Sequence, residues 1–156
     1  MSPDIYLTQE GYERLVSELE QLKTVKRRQL SRAVGEARAH GDISENAEYD
    51  AAREAQGHNE KQIVELEDKL ACVRILDKDI PVDQVLIGAM VKLKDMDTDE
   101  QLEYMLVSEL EADYNQGKIS VTSPVGQGLL GHKENEIVKI KIPAGVLIYR
   151  IIKISR

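Results

Sequence analysis

Four carboxylates, Asp42, Glu45, Glu48 and Asp50, stand within nine residues of this chain. They follow Gly41, a residue suited to a chain reversal, in the run Gly41-Asp42-Ile43-Ser44-Glu45-Asn46-Ala47-Glu48-Tyr49-Asp50. Asp42 and Glu45 are three apart, so where a helix begins both side chains can lie on one side. Two readings of the pair stay open. Asp-x-x-Glu ahead of a helical run is a capping-box arrangement, with Asp42 as N-cap and Glu45 at N3. Capping, however, leaves the further acids Glu48 and Asp50 unaccounted for. Two carboxylates are too few to hold Mg²⁺ by themselves, because that ion takes a full octahedral shell of oxygens and gives up water reluctantly. They can complete a site that another molecule has half built, adding ligands for a second metal in a two-metal phosphoryl transfer.

A long helical pattern lies on each side of this run. Thr8 is placed as an N-cap, with Glu10 in the first turn. Tyr12, Leu15, Leu19 and Leu22 then step by three and four, and Val25, Leu30, Ala33, Val34 and Ala37 continue the stripe less strictly. In the second arm Tyr49, Ala52, Gln56, Asn59, Ile63, Leu66, Leu70 and Val73 keep the alternation. The pattern predicts an antiparallel helical hairpin reversing near residues 40–42, with the acidic run at its tip. Leucines and isoleucine fill the base of the seam. Alanine, Gln56 and Asn59, with Gly35 and Gly57 nearby, thin it towards the tip.

Residues 78–81 read as a linker, and beyond them the period changes from helical to alternating. Strands are expected at 85–93, 103–110, 118–121, 137–142 and 146–154. Ser123-Pro124 opens a short helix over 125–130 that stops at Gly131. The fold class expected is therefore two-domain. Residues 1–77 form a coiled-coil hairpin with its acidic tip near 41–50, and residues 78–156 form a small, mostly antiparallel α+β domain.

Composition narrows the function. A net charge of −7 argues against wrapping duplex nucleic acid, and residues 1–77 and 78–156 balance at −5 and −2. Lone Cys72 forms no internal disulfide, which points to a reducing, cytoplasmic setting. No basic-then-apolar leader opens the sequence, and its apolar runs are too short to cross a bilayer. There is no phosphate loop, HExxH or paired cysteine motif, and His40, His58 and His132 are scattered, so a self-contained enzyme is not expected. A prolyl isomerase in the second half reads poorly, since Tyr104, Tyr114 and Tyr149 are its only aromatic residues. The cluster Lys23, Lys26, Arg27, Arg28 and Arg32 is either a solvated helix face or a local field that steers RNA.

The run Ala37-Arg38-Ala39-His40-Gly41-Asp42-Ile43-Ser44-Glu45-Asn46-Ala47-Glu48-Tyr49-Asp50-Ala51-Ala52-Arg53-Glu54 resembles the tip signature of the bacterial Gre transcript cleavage and elongation factors. So do Leu7-Thr8-Gln9-Glu10-Gly11-Tyr12, Ile119-Ser120-Val121-Thr122-Ser123-Pro124, Leu129-Leu130-Gly131 and Pro143-Ala144-Gly145, which together span nearly the whole chain. The resemblance implies an accessory factor, expected as a monomer, whose hairpin enters the secondary channel of RNA polymerase. It implies that Asp42 and Glu45 help hold a second Mg²⁺ and the attacking water while the polymerase cuts the RNA 3′ end of a backtracked complex. It implies tip-positioning or RNA contacts for Arg38 and Arg53, for which a surface salt bridge is the alternative. It also implies an FKBP-like second domain that grips the polymerase through Thr122, Ser123 and Pro124. Thr122 stands where family members often carry an acid, and Gln127 and Gly128 replace a basic residue and alanine. A channel-binding inhibitor without cleavage activity is the alternative function.

Overall fold

The computed structural model describes residues 4–41, 46–77 and 79–156. Its contacts divide the chain into Tyr12–Val73 and a second unit, Arg74–Arg156, which the opening stretch Asp4–Gly11 joins. The sequence places the boundary at 77/78 and the opening residues with the hairpin; the contacts divide the chain after Val73 and place 4–11 with the second unit.

The first unit is a hairpin of α1 (Gln9–Gln21), a π-helical turn (Leu22–Lys26), α2 (Arg27–Ala39) and α3 (Ala47–Leu70). The Thr8 hydroxyl accepts from the Gly11 amide at 3.0 Å, as an N-cap should. The arms run antiparallel: the Asn59 amide donates to the Leu22 carbonyl (3.1 Å), and Arg27 makes a two-pronged ion pair with Glu60 (2.8 Å each). Leu15, Leu30, Val34, Ala37, Asn59 and Ile63 are buried along the seam.

The π turn explains why Val25 leaves the stripe. A seven-residue step from Leu22 would bury Gln29, but Gln29 is exposed and Leu30 is buried. A π turn takes up one extra residue, which rotates the apolar stripe back onto the facing helix. Val25 falls inside that turn and is 41% exposed. Val73 also departs from expectation. The helix ends at Leu70, and Val73–Ile75 forms β2, pairing with β1 (Ile5–Leu7) in a two-stranded sheet.

The second unit is built on a five-stranded sheet. Its strands are β3 (Met90–Asp95), β4 (Gln101–Val107), β5 (Lys118–Ser120), β6 (Ile137–Ile142) and β7 (Gly145–Ser155), in spatial order β5-β4-β3-β7-β6. All neighbours are antiparallel except β4 and β5. Period-two alternation turns Val91, Leu93, Val138 and Ile140 inward, where Leu106, Ile151 and Leu129 of the short helix α4 (Pro124–Leu129) complete the core.

The strand expected over 85–93 begins only at Met90, although Val85 and Ala89 ahead of it are buried. Val85 bonds instead to the 131–132 segment, and the Gly88 amide to the Leu106 carbonyl. The fourth strand stops at Val107 because Ser108 caps a 3₁₀ turn, Glu109–Glu111. That turn places Glu111 fully out of solvent, where the Thr8 amide donates to its carboxyl at 3.2 Å and the Thr8 hydroxyl makes a second bond to it.

Candidate functional site

The hairpin tip is built from the end of α2 and the start of α3. α2 closes at Ala39 with His40 as C-cap, whose amide reaches back to the Ala37 carbonyl at 3.2 Å. Gly41 follows at φ 146°, a backbone angle that disfavours any side chain. The far edge is Asn46, which caps α3: its side-chain oxygen accepts from the Glu48 amide (3.0 Å) and the Tyr49 amide (3.2 Å). The sequence's capping-box reading, with Asp42 as N-cap and Glu45 at N3, is thereby corrected, since α3 starts at Ala47 and Asn46 takes the cap. Asp42 and Glu45 themselves lie outside the described residues. Glu48 and Asp50 are exposed on the first turn of α3, where negative charge complements the helix dipole.

Asn46 does a second thing. Its amide nitrogen donates to the Ala37 carbonyl of the opposite arm at 2.6 Å. Beside it the Arg38 guanidinium stands 5.7 Å from the centre of the Tyr49 ring, a cation–π contact across the arms worth about 0.5–1 kcal/mol at an exposed site. Arg53 points along its own helix and donates to the Gln56 side chain at 3.1 Å. Among the described residues neither Arg38 nor Arg53 forms an ion pair. Tyr49 is half-buried, as a seam residue carrying the Arg38 contact.

Down the first arm, Lys23, Arg27, Arg28 and Arg32 line one shallow surface depression with Thr24 and Ser31. Among the described residues Arg27 alone of the five basic residues is in an ion pair, with Glu60; their mutual hydrogen bonds raise the Arg27 pKa and lower that of Glu60. Lys23, Arg28 and Arg32 remain as a local positive field on a chain that is acidic overall.

In the second unit, Ser123 caps α4, accepting from the Gly126 amide at 3.1 Å and donating to the Ser120 carbonyl at 2.6 Å. The Thr122 hydroxyl pairs with Ser120 Oγ at 2.7 Å, so threonine is held into the turn where an acid would project charge. Pro124 is exposed at the first position of the helix. A side chain at Gly126 would collide with the Ser120 carbonyl, and one at Gly128 would press on Ile140 (2.6 Å), which accounts for glycine at both positions.

Sequence reasoning missed what lies beside this turn. Tyr104, Tyr114 and Tyr149, dismissed as too few, converge on one cavity of about 440 Å³ that Lys118, Ser123 and Pro124 also line. The Tyr104 and Tyr114 rings are 6.4 Å apart, tilted by 37°. Burial, and then the hydrogen bond with Tyr114, push the Tyr104 pKa well above the usual range; burial also raises Tyr149. The usable signal was register: Tyr104 and Tyr149 each flank a central strand, and Tyr114 sits at the turn leading into β5.

Among the described residues no group of three or more His, Cys, Asp or Glu could hold a metal ion, and no helix is long and apolar enough to cross a membrane.

Two family models match the chain, one after the other. Residues 5–75 match the family description "Transcription elongation factor, N-terminal", and residues 80–156 match "Transcription elongation factor, GreA/GreB, C-term". The chain is 54% identical to the transcription elongation factor GreA of Prosthecochloris aestuarii, over 99% of this chain and 98% of that protein. It is 51% identical to the GreA of Chloroherpeton thalassium and 47% identical to that of Syntrophotalea carbinolica, each over 99% of both chains. Among solved structures, that of the transcription factor Gfh1 is 29% identical across the whole of both chains, with a TM-score of 0.48. With both halves matched in order and about half of all residues shared with curated relatives over their full length, this chain belongs to the GreA/GreB family of transcription elongation factors.

Proposed function

We propose that this factor works on RNA polymerase by lending donors to an active site it does not itself contain. The hairpin enters the secondary channel of a backtracked complex, and Asp42 and Glu45 complete a second Mg²⁺ site that the polymerase's own carboxylates begin. The single observation that carries this reading is the identity of the α3 cap. Asn46 caps the helix, so two carboxylates three residues apart are not needed there as a capping box.

Carboxylate oxygens suit Mg²⁺, and a pair of them leaves most of its shell to be filled by another molecule and water. Bound there, the ion supplies Lewis-acid stabilisation of phosphoryl oxygens and a more acidic water. This chain's part is to deliver the two carboxylates and to orient the water that attacks the phosphodiester. Glu48 and Asp50 keep the tip acidic, and Lys23, Arg28 and Arg32 steer the hairpin by local field. The turn at Thr122, Ser123 and Pro124, with the tyrosine-lined cavity beside it, docks the second unit on the polymerase. The protein is then an accessory factor and not a nuclease, acting as a monomer in the cytoplasm.

The test is transcript cleavage by stalled, backtracked polymerase. Outer-shell metal partners are worth ~10–100-fold, so Asp42→Ala or Glu45→Ala is expected to slow stimulated cleavage by about a hundredfold or more. Polymerase affinity should stay close to that of the unaltered factor. Wild-type cleavage by the double variant would sink the donor reading. Tight polymerase binding with no cleavage by the unaltered protein would favour a channel-blocking inhibitor.

A further inference from the structure

We infer that Asn46 is a positioning residue for the cleavage reaction: its side chain staples the end of the first arm to the start of the second. Thereby it fixes the spacing of the two helix ends from which the acidic tip is carried. The inference rests on the donor reading above and adds to it a residue that touches neither metal nor RNA.

The argument starts from what an asparagine side chain can do that other caps cannot. Ser, Thr and Asp cap helices as well as Asn, because each offers an oxygen to the first-turn amides. Only the carboxamide offers an acceptor and two donors on one rigid plane. Here both ends are used. The oxygen takes the Glu48 and Tyr49 amides of α3, and the nitrogen reaches nine residues back to the Ala37 carbonyl at 2.6 Å. Ala37 is itself buried in the seam and its carbonyl also accepts from the His40 amide, so the bond lands on the last well-packed turn of α2. The side chain is half-buried, which shields the bond from competing water. Arg38 over Tyr49 ties the same two turns together.

A cap alone would stabilise α3 and leave the separation of the arms to the seam. The seam is weakest there, since Gln56 and Ala52 are only half-buried and the last buried side chain of the first arm is the small Ala37. Metal donors must be held to within a fraction of an ångström of their working geometry, so a fixed base for the tip matters more to cleavage than to folding.

Two variants separate the functions. Asn46→Asp and Asn46→Ser both keep an oxygen for the Glu48 and Tyr49 amides, and neither can donate as the carboxamide does to the Ala37 carbonyl. Both are expected to keep the helix content and polymerase affinity of the unaltered factor within about twofold. The cleavage rate at saturating factor should fall ~3- to 10-fold, the scale of one lost hydrogen bond, and the Mg²⁺ concentration for half-maximal cleavage should rise by a similar factor. A purely structural role would lower helix content without moving the Mg²⁺ requirement. The serine variant guards against a new carboxylate joining the metal site.

Unchanged cleavage and unchanged Mg²⁺ requirement in both variants would overturn the inference, even with Asp42→Ala and Glu45→Ala inactive. Loss of helix content or polymerase affinity large enough to explain the slower cleavage would overturn it too. Full activity in the Asp42→Ala and Glu45→Ala variants would remove the donor reading, and this inference with it.

Discussion

The two units are held together in different ways. In the second, Val91, Leu93, Leu106, Leu129 and Ile151 are all fully buried and belong to one core cluster drawn from the sheet and the helix α4. In the hairpin the buried residues form a single file, Leu15, Leu30, Val34, Ala37 and Ile63, and Asn59 interrupts it. Two helices alone enclose a side chain on few sides, so among the described residues the hairpin buries fewer apolar side chains than the sheet unit does. The hairpin makes up some of this with polar pins: Asn59 to Leu22, Arg27 to Glu60, Asn46 to Ala37. Bulk apolar packing fixes a shape, whereas pins fix a register. A docking body needs the first, and a probe that delivers two side chains needs the second.

The largest expected effect falls on the sheet. Ile151 lies in β7 opposite Leu93 and is fully buried. Ile151→Ala is expected to lower the stability of the second unit by about 2–5 kcal/mol, through lost burial and the cavity left behind. Urea unfolding followed by the sheet's circular dichroism measures it. Ile63→Ala, equally buried in the hairpin, should cost no more than half as much, because two helices can close over the gap. Equal losses at the two sites would break the contrast.

The same contrast decides what could be read from the sequence. The seam was legible because a helical period of apolar residues has one interpretation, and Leu15, Leu30, Val34, Ala37 and Ile63 lie where it put them. Even the π turn left a trace, in the interval from Leu22 to Leu30, one residue longer than a heptad. Strands β6 and β7 were legible from alternation. What escaped was long-range. Glu111 reads as an ordinary surface acid, and only the fold brings it to Thr8, some hundred residues away along the chain, and buries it. The cavity tyrosines come from three separate elements. At the tip the sequence pointed to Asp42 with Glu45 as a capping box, whereas α3 is capped by Asn46, whose amide also reaches the Ala37 carbonyl across the hairpin, a contact that no local pattern records.

A second prediction sharpens the contrast from the hairpin side. Asn59 is 2% exposed; its amide holds the Leu22 carbonyl beside the π turn, while its own oxygen has no hydrogen-bond partner among the described residues. Asn59→Asp replaces that donor with an oxygen facing a carbonyl oxygen. It should destabilise the hairpin by about 1–3 kcal/mol, the cost of buried polar groups left unpaired. Thermal unfolding followed by helical circular dichroism is the measurement, and the second unit's transition should not move. A loss below about 0.5 kcal/mol would show that the π turn holds its register without the pin.

The smallest effect is expected in alkali and belongs to the sheet unit. Burial raises both Tyr104 and Tyr149 above the ordinary tyrosine pKa near 10, and Tyr104 is raised further by its hydrogen bond with Tyr114. The folded unit therefore keeps these phenols neutral when the unfolded chain has begun to lose their protons. With more protons bound in the folded state, stability falls as pH rises. The contribution is whole below the ordinary tyrosine range and is lost as pH climbs through it towards the raised values. Ultraviolet titration of phenolate should show part of the tyrosine absorbance appearing late, and Tyr104→Phe should remove the latest step. If all six tyrosines titrated together near their ordinary value with the fold intact, the cavity would be open to water, and the packing difference between the two units would not extend to its edge.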